Sequence, residues 1–199
     1  VDTVVVFMHG FSASPRECEP ADIRIADELG AHLLRYRLSG HGLAGEFSRA
    51  GVALRDSCGR DAYLHDMSVA FALAKLIGRR VVVVGSSTGG SLAVWLASQP
   101  WAQADLAALV LFSPAFAIAK VGTAVYNALK WLVLMLPRAG CTAVLQAING
   151  PINRVPTILP IQHEIWTMEY PTESVAHCLE IYVSLEVGVD MGRILAPTL

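Results

Sequence analysis

A cluster of small hydroxylated residues lies between four valines and an alanine-rich stretch, in the sequence VVVVGSSTGGSLAVWLA at residues 81–97. Its centre, Gly85 to Gly89, fits the pattern G-x-S-x-G with Ser87 in the middle. That pattern is typical of a tight strand-to-helix turn that exposes the central serine, because the flanking glycines leave room for it. The amino end of the following helix favours negative charge next to that serine. We therefore predict that Ser87 is a nucleophile.

Three other interpretations of this turn compete with a nucleophile at Ser87. A glycine-rich connection without chemistry is compatible with the five residues taken alone, because glycine and serine are common. A phosphate-binding loop would require a lysine after the glycines, and none follows. Ser86 is the rival nucleophile, but the flanking glycines are centred on Ser87.

A second candidate site follows the first apolar run, where VVVFM leads into His9, Gly10 and Phe11. A serine nucleophile needs hydrogen-bond donors for the oxyanion of its tetrahedral intermediate. The predicted donors are the backbone N–H groups of Phe11 and of Thr88, the residue after the nucleophile. We expect His9 to hold this loop through hydrogen bonds, and the alternative is that it acts as the catalytic base.

Short apolar runs alternate with helical patterns along the first half of the chain. The predicted strands cover residues 3–8, 31–38, 80–85 and 106–114, and the predicted helices cover residues 22–30, 61–77 and 91–99. This alternation predicts a parallel sheet with helices on both faces. After Pro114 the alternation ends, and no strand is predicted between residues 115 and 189. PINRVPTILP, residues 151–160, is predicted to be a loop or an extended linker because it holds three prolines.

A third polar turn, SGHG at residues 39–42, follows the second predicted strand. Together with HGF and GSSTGG, it resembles the α/β-hydrolase fold family, within it the carboxylesterase and monoacylglycerol-lipase group. The resemblance covers residues 3–114 and resumes at ILAPTL, residues 194–199. It implies a mostly parallel sheet flanked by helices, with an inserted helical lid. The implied division is an N-terminal core at 1–114, a lid at 115–189 and the start of a returning core strand at 190–199.

The resemblance also implies a chain order of nucleophile, acid and histidine. The acid and the histidine are then expected beyond Leu199, so the C-terminal part of the fold is predicted to be absent from this chain. The chain would be a fragment, or part of a nicked enzyme whose remainder is a separate chain. Candidates inside the chain fit less well: Asp105 and Asp190 precede predicted strands, and two histidines lie in the lid, His163 and His177.

The apolar run at residues 115–137 suggests the substrate. A membrane span is one interpretation, but two central lysines, Lys120 and Lys130, are costly in lipid. An ordinary core helix is another. The functional interpretation is an apolar roof over Ser87 that admits acyl chains and allows peripheral contact with a membrane. The predicted pocket residues are Leu132, Trp166 and Met168.

Composition limits the classes of function. The 199 residues suit one domain, and 54% hydrophobic with 16% charged residues indicates a large core. A net charge of −2 without a block of like charge argues against nucleic-acid binding. Four widely separated cysteines argue against a zinc site or a dense disulfide framework, and they leave the compartment open, with the cytoplasm favoured.

The resulting hypothesis is a serine hydrolase that cleaves carboxylic esters with an apolar acyl part through an acyl-enzyme on Ser87, without a metal or an organic cofactor. A peptidase or a thioesterase of the same fold is an alternative, because the pocket and not the fold decides function. A non-catalytic, hydrolase-like binding protein is the alternative outside enzymes.

Overall fold

The sheet at the centre of the molecule has four parallel strands in the order β2-β1-β3-β4. The computed structural model describes residues 1–43, 47–116, 122–156 and 159–198. The strands are β1 (Thr3–Met8), β2 (His32–Tyr36), β3 (Arg80–Ser86) and β4 (Leu106–Phe112). The predicted parallel sheet is therefore confirmed: β1 has its predicted bounds, β3 is one residue longer, and β2 and β4 are shorter than predicted.

Helices cover both faces of this sheet, which explains why the central strands are continuous runs of β-branched residues. They are α1 (Ala21–Glu28), α3 (Arg60–Ile77) and α4 (Thr88–Ala97), whereas α2 (Phe47–Ser57) packs mainly against the later segment of the chain. Val5 and Phe7 of β1 pack with α1, whereas Val4 and Val6 pack with residues of α3 and α4. Helix α2 is not among the helices predicted from the sequence.

The carboxyl ends of β1 and β3 lie next to each other. In the parallel register of these strands Met8 is paired with Gly85. The chain leaves β1 toward β2 on one side and later returns to β3 on the other side of β1. Such a reversal of strand order opens a crevice at the carboxyl edge of the sheet, where ligands bind in open α/β folds.

The segment from residue 115 to residue 189 is mostly helical. It contains α5 (Gly122–Met135), α6 (Arg138–Asn149), β5 (Ile152–Arg154), α7 (Gln162–Ile165), β6 (Glu169–Pro171) and α8 (Glu173–Gly188). The expectation of no strand here was wrong, since β5 and β6 form a small antiparallel pair. Each has three residues, which is too short for an alternating pattern, and β5 lies inside the proline-rich stretch predicted to be a loop.

The helices of this segment have their own small core and also share the main one. Leu129, Cys141, Leu145, Ala176 and Leu179 pack together between α5, α6 and α8. The opposite side of α8 packs into the core beneath the sheet through a set of four side chains, Cys178, Ile181, Tyr182 and Leu185. The division of the chain at residues 114 and 189 stays a prediction.

Apolar side chains also lie on the surface of α5, where Trp131 and Met135 are exposed. No helix in the described parts of the chain combines the length and the apolar character needed to cross a bilayer.

Near its end the chain returns to the main sheet, where Thr198 forms a parallel bridge with Leu109 on the free side of β4. The contact is a single bridge, and a returning core strand that starts in residues 190–199 stays a prediction.

Candidate active site

Ser87 occupies a sharp turn between β3 and α4. Its φ of 48° and ψ of −115° lie outside the regions that residues with a side chain prefer. Hydrogen bonds on both sides hold this conformation: the Ser87 N–H donates to Phe112 O at 2.9 Å, and its carbonyl accepts the Ala115 N–H at 3.0 Å. Such strain persists only where the surrounding structure imposes it, and it is concentrated at functional sites.

Two glycines make this turn possible because the backbone of α4 approaches the sheet very closely. A Cβ atom at position 85 would lie 2.6 Å from the carbonyl oxygen of Gly89, and one at position 89 would overlap the carbonyl of Met8. The spacing of glycines in the sequence pattern thus corresponds to two steric requirements of the structure.

Replacing Ser87 by glycine should relieve this strain. We expect the free energy of unfolding to rise by about 1 kcal/mol, because relief of 1–3 kcal/mol of strain exceeds the entropy cost of a glycine. Urea denaturation of both proteins measures the change. Ser98→Gly at the other end of α4, where φ is −78°, is the control and should lower stability. A Ser87→Gly protein less stable than the parent would contradict the strained turn.

The loop after β1 fixes the direction of the Phe11 amide. The Gly10 carbonyl accepts hydrogen bonds from His9 Nδ1 at 2.8 Å and from the Ala13 N–H at 3.3 Å. His9 Nε2 in turn accepts the Leu38 N–H at 3.1 Å. Because a trans peptide is planar, holding the Gly10 carbonyl also orients the N–H of Phe11 on the opposite side of the same plane.

The residue after Phe11 is held on both sides as well. The Ser12 N–H donates to His41 Nε2 at 3.0 Å, and the Ser12 carbonyl accepts the Thr167 N–H at 2.6 Å. In the part of the chain that the structure describes, the Phe11 N–H itself has no acceptor. The Thr88 N–H starts α4, where first-turn amides lack intrahelical acceptors.

These two loops meet at Ser87. A Cβ atom on Gly10 would lie 3.1 Å from the Cβ of Ser87. The structure therefore brings the three predicted residues Ser87, Phe11 and Thr88 to one edge of the sheet. That both amides aim at a single oxyanion position stays a prediction. Tyr182 on α8 contacts the start of α4 next to Ser87, since its hydroxyl lies 2.8 Å from Thr88 Oγ1.

His9 and His41 are buried and neutral. Burial lowers the pKa of His9 to about 4 and that of His41 to about 3, and the two rings lie 4.9 Å apart. Both ring nitrogens of each histidine are engaged with the backbone of the loops. The loop-holding role expected of His9 is thus confirmed, and no nitrogen of its ring is left to act as a base.

This pair of histidines predicts a loss of stability in mild acid. Unfolded histidines bind protons as the pH falls below about 6.5, whereas the folded ones stay neutral, so acid favours unfolding. Between pH 7 and pH 5 we expect a fall in unfolding free energy of about 2 kcal/mol for each histidine. Urea denaturation at the two pH values measures it. A His41→Asn protein should lose less on acidification, and an equal loss would contradict this account.

Two of the three predicted pocket residues line one cavity. Trp166 and Met168 lie in the wall of a cavity of about 580 Å³, opposite Ser14 and Pro15 of the loop that follows Phe11. The indole Nε1 of Trp166 is buried, and no partner for it is found among the described residues. Leu132 lies elsewhere, packed against the small core of α5, α6 and α8.

The candidate triad partners inside the chain lie apart from Ser87. Asp105 precedes β4 and binds Lys75 Nζ at 2.5 Å, and Asp190 accepts the Gly192 N–H at 3.0 Å. His177 is buried on α8, and His163 is exposed in the cavity wall. Across the described residues, no hydrogen bond joins the Ser87 hydroxyl to a histidine or a carboxylate.

Glu17 is a further residue of this site, and it is not among the residues predicted from the sequence. Its Oε2 accepts the N–H of Gly10 at 2.7 Å, directly beside the candidate oxyanion loop. Glu17 follows Gly10 by seven residues and lies in a run of turns. Because it is not part of a periodic helix or strand, no sequence pattern identifies it as a site residue. In the described ranges, no group of three or more His, Cys, Asp or Glu side chains is placed to hold a metal ion.

Comparison with known proteins gives a family and a fold. A model described as the alpha/beta hydrolase family matches residues 5–177. A solved structure from work on LipS and LipT, two metagenome-derived lipolytic enzymes, superposes with a TM-score of 0.67 at 17% identity, over 98% of this chain and 69% of that one. Curated proteins give no match.

Two further structures superpose over most of the chain. A hydrolase from Pseudomonas aeruginosa PA01 gives a TM-score of 0.55 at 16% identity, over 99% of this chain and 70% of that one. A marine microorganism esterase gives a TM-score of 0.54 at 15% identity, over 100% of this chain and 75% of that one. At such identities the likeness is one of fold.

Proposed function

This chain belongs to the alpha/beta hydrolase family, and from that premise we propose that it is a serine hydrolase cleaving carboxylic esters with an apolar acyl part. The observation that carries the proposal is the strained Ser87, with its positive φ, lying against the loop whose Phe11 N–H has no acceptor among the described residues. A nucleophile and an available amide donor on neighbouring strand ends are two of the parts that acyl transfer needs.

In the proposed reaction, the Ser87 hydroxyl oxygen attacks the ester carbonyl and loses its proton to a general base. The carbonyl oxygen becomes an oxyanion that accepts hydrogen bonds from the Phe11 and Thr88 amides. The tetrahedral intermediate collapses, the alcohol leaves with a proton, and an acyl-enzyme remains on Ser87. Water then releases the acid by the same steps. We propose that the base and its carboxylate partner lie beyond Leu199.

The proposed acyl site is the cavity lined by Trp166 and Met168. Part of its lining is apolar, formed by these two side chains with Pro15 and Leu43, and polar side chains line the rest. Its volume of about 580 Å³ suits a small organic ligand. The backbone of Thr167 binds the loop that carries Phe11, so the cavity wall and the candidate oxyanion loop are joined. The lipolytic and esterase activities named for two of the neighbours support an ester substrate.

A series of p-nitrophenyl esters tests this assignment on the full-length protein. Trp166→Ala should lower kcat/KM for decanoate about 10-fold or more and that for acetate much less, because each buried methylene contributes about 0.8 kcal/mol. The matched control is Trp101→Ala, whose half-exposed ring packs on Phe71 and Trp95 of the sheet's helices. Equal losses on both esters in Trp166→Ala would show that the cavity does not hold the acyl chain.

A further inference from the structure

Glu17 lies beside the candidate oxyanion site. It lies in a series of turns that begins with the bond from the Ala13 N–H to the Gly10 carbonyl. Its carboxylate oxygen Oε2 accepts the Gly10 N–H at 2.7 Å. Glu17 therefore binds the residue that precedes Phe11 and lies against Ser87.

The position of Glu17 is unusual for a glutamate. The side chain is half-buried, and no cation pairs with it in the described ranges, whereas the neighbouring Glu19 binds Arg16 and Arg35 at the surface. Burial raises the pKa of the Glu17 carboxyl. Placing a carboxyl group there costs solvation, which one bond from a backbone amide only partly offsets. Such a cost is typical of a residue kept for a role in a site.

The contacts around Gly10 show how tightly this carboxyl is placed. A Cβ atom on Gly10 would lie 3.1 Å from Glu17 Oε1 and 3.1 Å from Ser87 Cβ, so Gly10 is wedged between the two side chains. Its carbonyl is already held by His9 and Ala13. Glu17 supplies the remaining bond, to the N–H, and the Gly10 backbone then has no unpaired polar group.

We propose that Glu17 is a positioning residue for the oxyanion hole: it holds the Gly10 N–H beside Ser87, and so sets the position of the Phe11 amide relative to the Thr88 amide. This inference rests on the proposed function. A misplacement of about 1 Å in a catalytic group costs on the order of 100-fold in rate. Glu17 acts through the backbone and does not itself touch the substrate.

The test compares Glu17→Ala with Glu17→Gln in the full-length protein, using p-nitrophenyl butyrate. Glu17→Ala should lower kcat by about 10- to 100-fold with KM nearly unchanged, since the bond lost serves the transition state. Glu17→Gln should keep kcat within a few-fold of the parent, because its amide oxygen still accepts the Gly10 N–H. Glu19→Ala is the matched control, a glutamate of the same loop with its carboxylate at the surface, and should keep the parental kcat.

Active-site titration with a fluorophosphonate separates a positioning role from loss of folded protein. Turnover is expressed for each labelled Ser87, so a merely structural role would reduce the number of labelled sites and leave their kcat unchanged. A parental kcat for each site in Glu17→Ala, or an equal loss in Glu17→Gln, would overturn the proposal. If Glu17→Ala does not fold, Glu17→Met, which has a similar volume and no oxygen acceptor, replaces it. Failure to label Ser87 in the parent protein would instead refute the proposed function.

Discussion

Replacement of Ser87 by alanine is expected to lower kcat for ester hydrolysis at least about 10⁴-fold in the full-length protein, because the covalent step has no other nucleophile. Labelling by a fluorophosphonate probe should disappear with it. Alanine keeps the Cβ and its contact with the Gly10 loop, so the turn keeps its shape. Activity and labelling should therefore fall without a loss of stability, and urea denaturation alongside the kinetics checks this.

Ser86→Ala is the matched control for this experiment. Ser86 is the last residue of β3, paired with Phe112 on β4, and its backbone has an ordinary strand conformation. Labelling should persist in Ser86→Ala and be lost in Ser87→Ala. The reverse pattern would move the nucleophile to the neighbouring serine, and labelling that survives in both variants would place it outside this turn.

The fold of the sheet was predictable because its determinants are local in the sequence. Strands buried on both faces are runs of β-branched residues, and Val4 to Val6 or Val81 to Val84 allow few other structures. The turn at Ser87 was predictable because its steric requirements demand glycines at fixed spacing. In contrast, α2 contains Gly51, which weakens a helical pattern, and β5 and β6 are stable only through pairing with each other.

The network around Phe11 could not be predicted in the same way. Gly10 was recognised as part of a loop, but its partners lie in three different segments: His9 in the same loop, Ala13 in the next turn and Glu17 beyond it. The partner of Ser12 is His41, which lies 29 residues away. Such bonds depend on the tertiary approach of two loops, for which a single sequence carries no periodic signal.

The pocket shows the same limit. Leu132 and Trp166 were predicted together because both are large and apolar and lie in the 115–189 segment. The structure separates them, since Trp166 lines the cavity, whereas Leu132 packs between helices. Hydrophobicity predicts that a side chain will be buried, but tertiary packing decides whether it lies in a core or in the wall of a cavity.

Gly89→Ala is expected to be the most destabilising single substitution of this site, with a loss of about 3 kcal/mol or more in unfolding free energy. An alanine normally stabilises a helix by about 1 kcal/mol relative to glycine. Here the added methyl group would overlap the Met8 carbonyl at the end of β1, and the neighbouring His9 carbonyl would lie 2.7 Å away. Both obstacles are backbone atoms of fully buried residues, the last of β1 and the one that follows it, so α4 and β1 must separate.

Gly188→Ala is the control for this prediction, because it makes the same change of residue at the end of α8, where nothing lies within 4 Å of the added Cβ. Urea denaturation should show Gly188→Ala unchanged or slightly stabilised and Gly89→Ala strongly destabilised. The separation in Gly89→Ala would also move the Thr88 amide away from the loop of Phe11, so the protein that remains folded should react slowly with the fluorophosphonate. A Gly89→Ala protein as stable and as reactive as the parent would show that the helix does not need this close approach, and the account of the turn that presents Ser87 would fail with it.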